Sequence, residues 1–219
     1  MKIKSFITGA IGTNCYLVWD EESTEAMLID PGAYEPGIRN NVAGAGLMLK
    51  YIVLTHGHGD HIGGVPELLV DFPEALLVAG EADLDLVGDT RLNISAVFFG
   101  RKILLEPDIL LKDGDEIELG GLSFQVIGTP GHTPGGLSFY IRECDEDYAG
   151  GAFSGTVFTG DTIFRASVGR TDLPGGDFGV LAASIREKLF ALPDDTLALP
   201  GHMDATTIGY EKKYNPFVR

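Results

Sequence analysis

All five histidines of this 219-residue chain fall in three short motifs, THGHGDHIGG (55–64), TPGHTPGG (129–136) and LPGHMD (199–204). Asp60 lies inside the first motif and Asp161 inside FTGDTIF. His56, His58, Asp60, His61, His132, Asp161 and His202 thus place seven metal-binding side chains on glycine-rich loops. His56 and His58 are one residue apart, which in an extended loop turns both imidazoles towards one ion; a helical HExxH pair needs a spacing of four. Asp60 and His61 follow too closely to reach the same ion and point to a second. A carboxylate such as Asp161 can share its oxygens between two cations. Two metals about 3.5–4 Å apart would then hold a bridging hydroxide, a nucleophile and Lewis acid in one site. A lone GHTPG or LPGH is more often a turn, whereas three histidines and an aspartate in six residues are poor packing material.

These ligands need a scaffold that brings distant loops together. The segments 1–7, 14–20 and 25–30 alternate or run apolar between Gly, Asn and acidic turns, as in an antiparallel meander. Pro36 opens a short helix over 36–44. KYIVLT (50–55) reads as a buried strand that ends where the first histidine motif begins. A helix over 64–72, a strand over 76–79 and a helical turn or two over 81–87 follow, and residues 88–108 read as a long loop. Residues 116–130 form a hairpin about Gly120-Gly121. Two further strands, 136–142 and 156–160, flank an acidic stretch over 143–155 that reads as a protruding tip. The segment 178–192 has Leu181, Ile185 and Leu189 at helical spacing, and TLALP (196–200) is the last strand. The recurring order of strand, glycine and ligand is satisfied by two packed sheets between helical layers.

Composition narrows the function. The length suits one domain over 1–219, with 30 glycines and 11 prolines dispersed rather than gathered in a linker. A formal charge of −16 makes nucleic acid an unsuitable partner. No run approaches the roughly 20 apolar residues of a membrane span, and the N-terminus does not read as a signal peptide, so a cytoplasmic protein acting on a small molecule is expected. Cys15 and Cys144 have no redox or zinc spacing and read as bystanders.

On HxHxDH and the later histidine and aspartate motifs, the chain resembles the metallo-β-lactamase superfamily. That resemblance implies an α/β fold, a four-layer αββα sandwich. It also implies a first metal held by His56, His58 and His132, a second by Asp60, His61 and His202, and Asp161 bridging. Within the superfamily, GRTDLPGGD (169–177) and TTIGYEKKYNPF (206–217) resemble the short bacterial type of the glyoxalase II group, the hydroxyacylglutathione hydrolases. The activity implied is hydrolysis of thioesters such as S-lactoylglutathione by a metal-bridging hydroxide, with Asp60 orienting the hydroxide and accepting its proton. Arg170 matches a substrate-binding basic residue, while Asp172 stands where an aromatic residue is expected. The C-terminal helical domain of full-length members is not expected here, and Lys212 and Lys213 are alternative sources of positive charge. Zinc suits the mixed donors, as do iron and manganese. The rival readings are a mononuclear iron persulfide dioxygenase using His56, His132 and Asp161, a lactonase, and a non-catalytic metal-binding module.

Overall fold

The computed structural model describes residues 1–219, the side chain of residue 98 excepted. Six strands form the first sheet in chain order: β1 (Lys2–Thr8), β2 (Thr13–Trp19), β3 (Glu25–Ile29), β4 (Met48–Val53), β5 (Leu76–Gly80) and β6 (Ile109–Leu111). β1 to β3 are an antiparallel meander, and β3 to β6 run parallel. The second sheet has the order β14 (Thr206–Thr207), β13 (Leu197–Pro200), β10 (Thr156–Gly160), β9 (Leu137–Ile141), β8 (Leu122–Gly128), β7 (Glu116–Leu119). Its one parallel pair is β10 with β13. A two-stranded ribbon of β11 (Ile163–Phe164) and β12 (Ser167–Val168) follows β10.

Side-chain alternation explains why the sheets stack. Tyr16 and Val18 of β2, Met27 and Ile29 of β3, Phe124 and Val126 of β8, and Phe158 of β10 share the core between the sheets. Their neighbours Cys15, Leu17, Ala26 and Leu28 point the other way, into a second core under helices. Helix α1 (Pro36–Gly44) supplies Ile38 and Val42, four residues apart, to that core. α2 (Gly59–Ile62) and α3 (Val65–Asp71) add Ile62, Val65 and Leu68. On the opposite side, α7 (Phe178–Glu187) packs Leu181, Ala182 and Ile185 with Ile208 of α8 (Ile208–Tyr214) against Val157 and Ala198. Asp177 caps α7 by accepting the Val180 N–H. The result is the expected αββα sandwich.

Three segments differ from expectation. Within 88–108 the chain forms a helical turn, α5 (Ser95–Phe99), because the buried Asn93 and Ser95 satisfy the backbone there: Asn93 donates to the Ile103 carbonyl and Ser95 Oγ accepts the Ile103 N–H. The stretch 143–155 does not protrude. Asp145 accepts the Ile3 N–H at 2.9 Å and caps α6 (Glu146–Ala149), while Tyr148 and Phe153 pack on the central core. TLALP is not the last strand, since β14 pairs antiparallel with β13; beyond it the hydroxyl of Thr207 caps α8, and Glu211, fully buried, takes hydrogen bonds from Thr206, Asn215 and the Ala166 amide. The turn α4 (Leu84–Val87) lies where the helical turns over 81–87 are expected.

Phe158 is fully buried, its ring edge-on to Tyr16 at 5.3 Å. Phe158→Ala is therefore expected to cost about 3–5 kcal/mol of unfolding free energy, read from denaturant titration.

Candidate metal centre

Parallel strands end on the same side of a sheet, and this places the loops. β3, β4 and β5 release Asp30, the 55–61 loop and Asp83 at one edge, and β10 and β13 release Asp161 and His202 at the facing edge. The two edges are joined directly. Asn14 donates from its side chain to the Pro200 and Met203 carbonyls, its backbone amide donates to the Gly201 carbonyl, and the Leu137 amide donates to the Thr55 carbonyl.

All seven predicted ligands converge. Nδ1 of His58 lies 2.9 Å from Nε2 of His132, which lies 3.1 Å from Nε2 of His56. Beside this set, Nε2 of His202 is 3.1 Å and Nε2 of His61 is 3.5 Å from Oδ2 of Asp60. Asp161 stands between the sets, with Oδ2 3.7 Å from both His132 Nε2 and His202 Nε2, and Oδ1 3.3 Å from His61 Nε2. Ligands about 2.0–2.1 Å from one tetrahedral ion sit about 3.3 Å apart, so both groupings have the spacing of a cation cage. Lone pairs facing one another at this range repel unless a proton or cation lies between them. Nε2 of His61 and Oδ1 of Asp161 are buried and have no hydrogen-bond partner among the described residues, as expected of atoms facing an ion. Gly201 makes room for this: a Cβ there would stand 2.5 Å from Asp161 Oδ1 and 2.6 Å from His61 Cε1.

The outward nitrogens fix the ring orientations. Nδ1 of His132 donates to the Arg170 carbonyl at 2.7 Å, which leaves Nε2 to face the centre. Nδ1 of His61 donates to Asp30 at 2.8 Å, and Asp30 also accepts from the Thr55 amide and hydroxyl. Asp30 has φ of +51° and its carboxylate is filled by these donors, so it orients His61. Asp83, also fully buried, accepts from the Gly57 amide, the Thr133 hydroxyl and the Gly135 amide, and so ties the loop of His56 and His58 to the loop of His132. Sequence reasoning missed Asp30, Asp83 and Asn14 in these roles. Asp30 reads only as the end of a strand segment, 25–30, and nothing in the spacing of Asp83 or Asn14 announced their partners.

Burial sets the charge of two rings, and neighbouring charges override it at the other groups. Burial pushes His56 well below its ordinary value, aided by the surrounding imidazoles, and brings His58 down to about 3. Burial opposes charge on His61 too, but Asp161, Asp60 and Asp30 outweigh it and push that ring well above the usual value; His202 is raised against burial by Asp60 and Asp161. Burial would raise the carboxyls of Asp60 and Asp161, yet the adjacent imidazoles hold both below the ordinary range. Burial raises the Cys15 thiol, and among the described residues Cys15 and Cys144 form no disulfide.

A cleft of about 510 Å³ opens over the centre, with His58, Asp60, His132, Asp161 and His202 in its floor. Arg170 reaches its wall. Lys212 and Lys213 do not: Lys212 pairs with Asp194 and Lys213 lies over the Tyr214 ring.

Comparison with known proteins agrees with this architecture. A model of the metallo-beta-lactamase superfamily matches residues 8–202. The chain is 37% identical to hydroxyacylglutathione hydrolase GloC of Haemophilus influenzae, over 100% of this chain and 98% of that one. It is 34% identical to the probable metallo-hydrolase YqgX of Bacillus subtilis, with the same coverage. Among solved structures, the BLEG-1 B3 metallo-beta-lactamase superposes with a TM-score of 0.86 at 35% identity, covering 99% of each chain. TTHA1623 in a di-iron-bound form gives 0.80 at 36% identity, covering 98% of this chain and 99% of that one. ETHE1 from Myxococcus xanthus gives 0.79 at 31% identity, covering 100% and 84%. The chain belongs to the metallo-beta-lactamase superfamily, whose fold implies a binuclear metal site of His and Asp ligands.

Proposed function

We propose that this protein is a binuclear metal-dependent hydrolase of thioesters, with S-lactoylglutathione as the reference substrate. The observation that carries the reading is the second set, Asp60, His61 and His202, assembled beside the first with Asp161 between them. The likeness to GloC supports the thioester class. His56, His58 and His132 would hold one cation and Asp60, His61 and His202 the other, with zinc the proposed metal. Bound there, two cations would lower the pKa of water and polarise a carbonyl.

In the overall reaction, the oxygen of water ends on the acyl carbon, the C–S bond breaks, and carboxylic acid and thiol leave. The chain's own groups prepare for this. Asp60 is held ionised by the neighbouring imidazoles, so its carboxylate can orient water and accept a proton at the cleft floor. Asp30 and the Arg170 carbonyl hold His61 and His132 in fixed tautomers. Arg170 is the proposed substrate contact at the wall.

A second reading, a mononuclear iron persulfide dioxygenase, is favoured by the ETHE1 neighbour. Metal content per chain, S-lactoylglutathione hydrolysis and persulfide-dependent oxygen uptake on one preparation separate the two. About two metals with thioester turnover supports the hydrolase; one iron with oxygen uptake replaces it by the dioxygenase.

Removing a ligand is expected to matter more than removing a supporting partner, a change that typically costs 10–100-fold. His58→Ala should therefore lower kcat/KM by about a hundredfold or more with thermal unfolding little changed. Unchanged turnover in a metal-verified preparation would exclude the binuclear mechanism.

The imidazole charges separate the two sets by pH. In the metal-free protein, the nearby carboxylates favour on His61 and His202 a proton that a cation must displace, whereas burial disfavours one on His56 and His58. Acid should therefore empty the Asp60, His61 and His202 set first. Dialysis at about pH 5.5 is expected to leave about one metal per chain, and return to about pH 7.5 with metal to restore two. Simultaneous loss of both metals would contradict this order.

A further inference from the structure

Above the metal centre, the cleft walls are largely apolar. Ile11, Ile94, Phe164, Val168, Leu173 and Met203 line it, drawn from four separate segments of the chain. Ile11 and Met203 remain 49% and 60% exposed at the mouth, so apolar surface there is available to a ligand. Two of these residues sit in left-handed backbone, Ile94 at φ +56° and Met203 at φ +68°. For a β-branched residue such as Ile94 this conformation is costly, and it is a conformation in which Gly or Asn would be easier. Both side chains line the cleft.

Among the described residues lining the cleft, Arg170 is the one Lys or Arg. Its backbone is anchored, because its carbonyl accepts from His132. One edge of its guanidinium is engaged: Nε and Nη2 donate to the two carboxylate oxygens of Asp172 at 2.7 and 2.8 Å. Among the described residues Asp172 has no other side-chain hydrogen-bond partner, and the hydrogen bonds between the two favour the charged form of each. A substrate carboxylate would have to displace Asp172 or approach it, in a chain carrying a formal charge of −16. The adjacent carboxylate offsets the charge of the guanidinium and so weakens its attraction for an incoming anion.

We propose that the cleft selects thioesters whose thiol and acyl parts are uncharged and apolar, and that Asp172 sets this preference by engaging Arg170. The inference rests on the thioester-hydrolase reading. A glutathione thioester brings two carboxylates and one ammonium to this wall, whereas an acyl-N-acetylcysteamine brings none. The apolar lining adds a length dependence, since each buried methylene is worth about fourfold in binding.

The test uses the metal-loaded enzyme and two kinds of substrate, S-lactoylglutathione and the acetyl, butyryl and hexanoyl thioesters of N-acetylcysteamine. For the wild type, kcat/KM is expected to rise from acetyl to hexanoyl and to exceed that for S-lactoylglutathione. In Asp172→Asn the ratio of kcat/KM for S-lactoylglutathione to that for the hexanoyl thioester should rise about threefold to fivefold, the scale of an exposed ion pair, with the change in KM. Arg170→Met in the Asp172→Asn background should return the ratio to its original value. A wild type that prefers S-lactoylglutathione, or a ratio unmoved by Asp172→Asn, overturns the proposal while leaving thioester hydrolysis standing. Failure to cleave any of the four thioesters with two metals bound sinks the hydrolase reading itself.

Discussion

The structure depends on holding electron-rich groups against their mutual repulsion. Five imidazoles and the carboxylates of Asp60 and Asp161 present lone pairs to one small volume, with nitrogens of the first set 2.9 and 3.1 Å apart. Left on flexible loops, such groups would separate and hydrate. Here the loops leave two sheets that share a continuous core, and cross-sheet hydrogen bonds from Asn14 and Leu137 join the sheets beside the site. The burial that disfavours charge on His56 and His58 also keeps them as neutral donors for a cation.

A set of buried carboxylates does the positioning. Asp30 and Asp83 carry their hydrogen bonds almost entirely within the protein: one aims a ring, the other joins two ligand loops. Asp161 and Asp60 instead face the interior of the centre, where their charge supports His61 and His202. The same residue type thus serves two purposes, and the difference lies in whether backbone N–H and hydroxyl donors already fill the carboxylate.

The cleft above joins a charged floor to apolar walls. Its one basic wall residue is tied to a neighbour two positions along the chain, so the wall presents methyl and ring carbons with a neutralised ion pair. The candidate metal ligands of the floor and the apolar residues of the walls are thus different residues. Arg170 links them, since its carbonyl holds His132 while its side chain meets the cleft.

Much of the fold was legible in order and spacing. Alternation in 1–30, the apolar runs before each histidine motif and the helical spacing of Leu181 and Ile185 are local properties, and the sheets and α7 followed from them. The HGHGDH spacing and the placing of every histidine in a motif marked six of the seven candidate ligands, and Asp161 was marked by its place in FTGDTIF. Other features were decided only by tertiary structure. Whether an aspartate orients or faces a cation depends on donors brought from elsewhere: Gly57, Thr133 and Gly135 for Asp83, Thr55 and His61 for Asp30. The stretch 143–155 looked like a free tip because its polar residues carry no sign that Asp145 meets the Ile3 amide 142 positions away. Sequence alone determined which residues could bind metal, because that is a property of side-chain chemistry and local spacing. The tertiary structure decided which of them burial keeps uncharged, which are oriented and which residues line the cleft, because hydrogen bonding, burial and field depend on neighbours distant in the chain.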